Sequence, residues 1–318
     1  MNPNFTPTFG WVKDEPGFRA YAATLQTADP WWDQLKANDD GGDRFFYRAL
    51  VRCLQRAGLS RWIKKRGSTP VLDTYNQLQV GSCVGNTEGK IKSHIAANDS
   101  TVRLDPEAFK NMFSPEFSYW ASRMESGMRP GSGDGSTGFG AAKAAVKYGS
   151  LIKGVYGGED ITEYTETRCR NWGDGRGIPA EAKTEAAQHC FADYLKVSTA
   201  EQVWLLAGAA YPFNVCSNVG FENTRDVDGA IKPRGKWPHS MTAATARYTT
   251  KAGRKLVLIE NSWDESWNEG PYYGDQPVGS FYVDLDVLAD MVSEGDSFVD
   301  RGYIGHSSSD TAPDFTQM

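Results

Sequence analysis

The first half of the chain is patterned for helices and the second half for strands. That segregation limits the fold more than any other feature. Residues 43–57, 83–98, 115–126 and 139–149 carry apolar residues at helical spacing. One more helix is expected over 199–209. After it the period changes, and alternating or continuous apolar runs at 211–219, 239–248, 255–261 and 279–285 predict strands. Helices first and strands later predict an α+β protein with its layers segregated. With 318 residues, the chain is long enough for one large domain or two lobes around a shared core.

The expected organisation has four parts. Residues 1–70 form an N-terminal arm, extended and packed by its aromatic rings, followed by a basic helix and a linker. Residues 71–165 form a mainly helical lobe, 166–305 a mainly β lobe, and 306–318 a flexible tail. Arg44, Arg48, Arg52 and Arg56 recur every four residues, so the 43–57 helix would carry them as one stripe. Such a stripe fits an acidic protein partner, or simply a solvated face.

Composition narrows the function classes. A net charge of −6 argues against broad nucleic-acid binding. No apolar run approaches the roughly 18 residues of a membrane span. The N-terminus lacks the basic and apolar regions of a secretory signal. The five cysteines, at 53, 83, 169, 190 and 216, are odd in number and include no Cys-x-x-Cys. A disulfide framework and a zinc site are therefore not expected, no metal or other cofactor is called for, and a reduced, intracellular setting is.

The chemistry concentrates in residues 76–86, N-Q-L-Q-V-G-S-C-V-G-N. A cysteine in the first turn of a helix has its thiolate favoured by unpaired N–H groups and the helix dipole. Gly81 permits a tight turn just before Cys83. The Cys83 N–H and the Gln77 side-chain amide, six residues upstream, are candidate donors to an oxyanion. A thiol nucleophile needs a base. His94 would lie about 16 Å along the same helix, out of reach. His189 sits on an expected solvated helix and His306 in the tail, which leaves His239, at the start of a strand. Asn261, at the end of the next apolar strand, is the candidate orienter of that imidazole, and Trp263 would shield their hydrogen bond from water.

The set Q-x5-C with G-S-C, a later His before a strand, and E-N-S-W-D-E-S-W-N-E-G resembles the papain-like cysteine peptidases, in the family's order Cys, His, Asn. The resemblance covers about residues 9–305, and GWVKDEPGFRAY resembles the N-terminal arm of bacterial and phage-type members. It implies a papain-like two-lobe fold, a helical lobe plus an antiparallel β-barrel-like lobe with the active-site cleft between them. It implies hydrolysis of peptide bonds in a peptide or protein substrate, with Cys83 as nucleophile, His239 as acid and base, Asn261 as orienter, and Gln77 with the Cys83 N–H as oxyanion hole. Gly135 and Ser136 align with the loop that pairs with substrate backbone, and Trp267 with the second Trp of the motif, on the primed side. Val84 stands where an aromatic is usual, Val80 where secreted members have a disulfide cysteine, and Asp264 where a Gly follows Asn-Ser-Trp.

A reading from another class stands beside this one: a structural or docking component of a larger assembly, such as a virion, using the fold with weak or no activity. A third reading is that residues 1–70 restrain the peptidase, with Lys64-Lys65-Arg66-Gly67 as an accessible cut point.

Overall fold

The computed structural model describes residues 7–13, 29–102 and 109–303. The expected tail and His306 lie outside them. The helices are α1 (Pro30–Asn38), α2 (Tyr47–Arg56), α3 (Cys83–Val102), α4 (Pro115–Glu125), α5 (Gly138–Lys147), α6 (Glu166–Gly173), α7 (Ala180–Ala186), α8 (Ala200–Gly208) and α9 (Leu285–Ser293). The main strands are β1 (Arg44–Phe45), β6 (Phe191–Lys196), β7 (Phe213–Phe221), β8 (Pro233–Thr249), β9 (Lys255–Glu260), β10 (Ser280–Asp284) and β11 (Phe298–Tyr303). They form one antiparallel sheet in the order β10-β9-β8-β7-β11-β6, with β1 added along β8. Two hairpins, β2 (Ile63–Arg66) with β3 (Thr69–Leu72) and β4 (Val155–Tyr156) with β5 (Glu159–Asp160), stand apart. The chain is α+β.

Local chemistry explains the helix starts. Ser114, Thr137 and Thr199 each accept a backbone N–H in the first turn of α4, α5 and α8. Pro115 opens α4, where its missing N–H costs nothing. The start of α3 is placed by close packing: a Cβ on Gly85 would stand 2.6 Å from the Tyr119 side chain of α4. Only glycine lets the two helices approach that far.

Several expectations change here. Residues 30–38 are helical, so the N-terminal stretch is not extended throughout. Arg44 lies in β1 and pairs with Asp40, and Arg48 pairs with Asp275. The four arginines therefore do not share one helix face, and two of them are engaged within the chain. The expected linker at 59–72 is a hairpin whose Val71 and Leu72 are buried, because the basic run KKR alternates against a β-branched, apolar strand. Residues 166–186 pack with the helical half: Trp172, Ala182 and Ala186 share a core with Phe117, Trp120 and Ala144. His189 follows α7 instead of lying on it, and bonds Tyr303. His94 is a core histidine, paired with Glu260 at 2.8 Å.

Candidate active site

Cys83 is the first residue of α3 and fully buried. Main-chain groups of Ser240, Gly10, Val84 and Cys83 itself favour its thiolate form. Ser240 follows His239 on β8, so the helix start and that strand meet at the thiol. Burial nevertheless dominates and pushes the Cys83 thiol up to about 12.

The His239 ring is ordered on both sides. Asn261 Oδ1 lies 2.8 Å from His239 Nε2, and the same oxygen accepts the Ser262 N–H at 2.7 Å. That second bond identifies the Asn261 atom as oxygen, so Nε2 carries the proton. Nδ1 is then the basic nitrogen, and it is buried without a hydrogen-bond partner. Trp263 stacks on the imidazole with centroids 4.4 Å apart. Burial brings His239 down to about 4, against the opposing bond from Asn261.

Gln77 is held as firmly. Its backbone N–H bonds Ser262 O, and Ser262 Oγ donates to Gln77 Oε1 at 2.6 Å. Nε2 is thereby the outward donor, reaching Val80 O at 3.1 Å and Thr8 O at 3.0 Å. Behind the site, Lys90 Nζ and Thr74 Oγ1 both donate to Asn261 O. Lys90 also pairs with Glu260 at 3.5 Å. Thus a side chain two turns along the helix that Cys83 begins fixes the strand end that carries Asn261.

The groove over these residues is filled by the chain's own residues 8–12. Thr8 O accepts from Gln77 Nε2 and from Trp263 Nε1. The Phe9 ring meets His239 and Trp263 edge-on. Gly10 passes Gly81 so closely that a Cβ there would stand 1.8 Å from Gly81 O. Ser136 N–H donates to Gly10 O at 2.9 Å, and Val12 N–H donates to Ser136 O at 2.9 Å, a parallel bridge centred on Trp11. Trp11 N–H donates to Pro238 O. The Trp11 side chain is buried with Cys83, Val84, Ala141 and Cys216, and its indole N–H donates to Asp296 at 2.7 Å.

Thus Gln77, His239, Asn261 and Trp263 are joined by direct contacts and Ser262, while Cys83, Gly81 and Ser136 are linked to them through residues 8–11 and Ser240. Gly135 lies beside them but turns its own groups inward, with N–H to Tyr119 and O to Arg123. Trp267 does not line the groove. It is buried behind Trp263, with its indole N–H on Gly279 O. Asp264 takes a left-handed conformation (φ 62°), which explains why glycine suits that position. Sequence reasoning missed Thr8, Phe9, Gly10, Lys90 and Asp296. The ring of Trp11, expected only to pack the arm, was the available signal.

No protein-family model matches the chain, and no curated protein does. Among solved structures it is similar to xylellain, a cysteine protease from Xylella fastidiosa, at 16% identity, covering 74% of this chain and 84% of that one, with a TM-score of 0.49. It is similar to the bromelain protease from Ananas comosus in complex with the E64 inhibitor, at 13% identity, covering 73% and 94%, with a TM-score of 0.45. It is also similar to procathepsin B S9 from Trypanosoma congolense, at 11% identity, covering 87% and 85%, with a TM-score of 0.45.

Proposed function

We propose that the chain is a thiol peptidase acting through Cys83, His239, Asn261 and Gln77. The observation that carries this reading is the fixed tautomer of His239: Nε2–H is committed to Asn261, and Nδ1 is left as a base on the strand that meets the thiol. Chemically, His239 Nδ1 takes the Cys83 proton and the sulfur attacks the scissile carbonyl. Gln77 Nε2–H and the Cys83 N–H donate to the resulting oxyanion. His239 then protonates the departing amine, leaving an acyl-thioester on Cys83. Water, deprotonated by the same nitrogen, cleaves the thioester and restores the thiol. Neither Asn261 nor Trp263 exchanges a proton. They hold the ring and exclude water.

Residues 8–12 occupy the groove in a form that cannot be cut. Gly10 O is turned to the Ser136 N–H, and the carbonyl that meets the Gln77 amide is that of Thr8. The leaving amine must depart on the His239 side, so a substrate runs from Ser136 toward His239. The arm runs the other way, with Phe9 at His239 and Trp11 at Ser136. In this state both thiol and imidazole are neutral near pH 7, so turnover requires the arm to leave. Among the described residues of 1–70, these five supply the restraint, whereas Leu50 and Leu54 of α2 are part of the core. A cut at Lys64–Gly67 would fall in the β2–β3 hairpin and would not free α2.

The test compares the parent with Trp11→Ala, which loosens the arm, on a fluorogenic peptide. Turnover that rises in Trp11→Ala and vanishes in Trp11→Ala/Cys83→Ala supports the reading. Rapid labelling of Cys83 with no turnover of any peptide would favour the docking component instead.

A further inference from the structure

The loop that joins Gln77 to Cys83 is strained and is held from the side of α6. Leu78 is exposed and left-handed (φ 51°), a conformation a leucine keeps only where its surroundings impose it. Glu166 Oε1 accepts the Gln79 N–H at 2.9 Å. Asp134, paired with Arg170, accepts the Gly81 N–H at 3.0 Å. Tyr164, just before α6, reaches deeper. Its Oη donates to Gln77 O at 3.1 Å and lies 3.2 Å from Ser82 Oγ, which accepts from Asn86 Nδ2 at 3.0 Å. The Tyr164 proton is committed to Gln77 O, so the Ser82 hydroxyl is the donor to Tyr164. The bonds therefore run one way, from Asn86 to Ser82 to Tyr164 to Gln77. Burial raises the Tyr164 hydroxyl, so it stays a donor at neutral pH.

We propose that Tyr164 is a positioning residue for the oxyanion site, setting the Gln77 amide against the Cys83 N–H through the Gln77 carbonyl. The two ends of the relay are what recommend it. Ser82 and Asn86 stand on either side of Cys83 at the start of α3, and the other end is the backbone of Gln77. The relay thus spans the gap between the two candidate donors. Val80, midway along the loop, adds only apolar packing against Tyr119, Cys169 and the Tyr164 ring. Without the hydroxyl, nothing in the relay would hold Gln77 O against the strain at Leu78, and the amide would sample more orientations. A misplacement of about 1 Å costs up to roughly a hundredfold in rate. Tyr164 itself moves no proton and touches no substrate atom. What the two donors bind rests on the peptidase reading above, whereas the relay rests on the contacts of Tyr164.

The experiment uses full-length Trp11→Ala chains carrying no further change, Tyr164→Phe, Gln77→Ala, or both. Phenylalanine keeps the ring that packs on Val80 and removes only the hydroxyl. Steady-state kinetics on a fluorogenic peptide is read beside the affinity for a peptide aldehyde, measured as protection of Cys83 from iodoacetamide. The aldehyde needs no turnover. Sulfur bonds to the aldehyde carbon, the carbonyl π pair moves onto oxygen, and the thiol proton ends on that oxygen, which lies where an oxyanion would. Tyr164→Phe is expected to lower kcat and aldehyde affinity by about tenfold each, with KM within about twofold and a cooperative melt retained. In the Gln77→Ala background the same change should move either signal by less than about twofold, because Tyr164 acts through that amide. Equal losses in the two backgrounds, a loss carried by KM, or no loss overturns the proposal. Aldehyde losses in the expected pattern, with no turnover of any peptide, would remove the peptidase reading and leave the role of Tyr164 standing. Turnover with equal losses in both backgrounds would do the reverse. A chain that yields neither product nor adduct overturns both.

Discussion

Single residues set the chemistry through what each is prevented from doing. Asn261 Oδ1 is held by the Ser262 N–H, so it can only accept from His239, and His239 can only present Nδ1 as base. Removing that constraint should cost rate without unfolding the protein. In the Trp11→Ala background, Asn261→Ala is expected to lower kcat by about ten- to a hundredfold, because the ring is free to adopt the wrong tautomer. Gln77→Ala should lower kcat by roughly 10²–10³, as for loss of an oxyanion donor elsewhere. Steady-state kinetics on one peptide checks both, and an unchanged kcat for either variant removes that residue from the mechanism. The placement of Gln77, His239 and Asn261 side by side, with Cys83 at a helix start, was legible in the sequence, because the residue types a thiol nucleophile would need stood near helix and strand ends. Asp296 and Lys90 were not. An acid in a loop and a lysine in a helix look like solvated charges until the fold buries them.

Between elements, two devices join the halves of the molecule. One is the arm. A Trp→Ala change at a well-buried site costs about 3–5 kcal/mol. Most of residues 8–12 is otherwise held by main-chain bonds, so Trp11→Ala should shift the arm toward release. Alkylation of Cys83 is expected to accelerate by at least about tenfold. The other device is the buried cluster of Lys90 and His94 on α3 with Glu260 on β9. Burial alone would raise Glu260, but His94 and Lys90 outweigh it and bring the carboxyl down to about 2. Glu260→Gln leaves the buried Lys90 ammonium without its carboxylate and should cost about 3–5 kcal/mol in chemical denaturation. A loss below about 1 kcal/mol would mean that the cluster is not holding α3 to β9. The order of helices and strands was readable from period alone. The β2–β3 hairpin was not, since KKR reads as a solvated charge run. Neither was α1, where Asp29 and Pro30 signal a helix start that the surrounding Pro and Gly obscure.

For the whole molecule, the buried groups fix how stability depends on pH. His239 has a folded value of about 4 against an ordinary 6.5, so the unfolded chain binds the extra proton between them. Its contribution is complete above pH 6.5 and is lost as pH falls to 4. Glu260, at about 2 against 4.5, adds a loss from pH 4.5 to 2. Cys83, at about 12 against 9.0, contributes fully below pH 9 and loses that contribution as pH rises to 12. The contributions of His239 and Cys83 are therefore both complete between pH 6.5 and 9, while Lys153, brought down to about 8 by burial, adds a rise in stability from pH 8 to 10.5. In Trp11→Ala the first acid loss and the alkaline loss should both shrink, because the arm that buries the two groups has loosened. A parent and variant with superimposable profiles would mean that burial by the arm is not the cause. What the sequence could not convey at this level is that the closed form of the groove is built by the chain's own residues running backward, a tertiary contact more than 200 residues long between Trp11 and Asp296.

Covalent trapping on the sulfur bears most heavily on the whole account. The full-length Trp11→Ala chain is mixed with an activated peptide ester, quenched within milliseconds to seconds, and digested for mass spectrometry. A peptide-acyl adduct that appears on Cys83, decays on further incubation, and is absent when His239 is replaced by Ala is the expected result. No adduct on Cys83, or equal acylation of Cys190, Cys53 and Cys83 independent of His239, would contradict it.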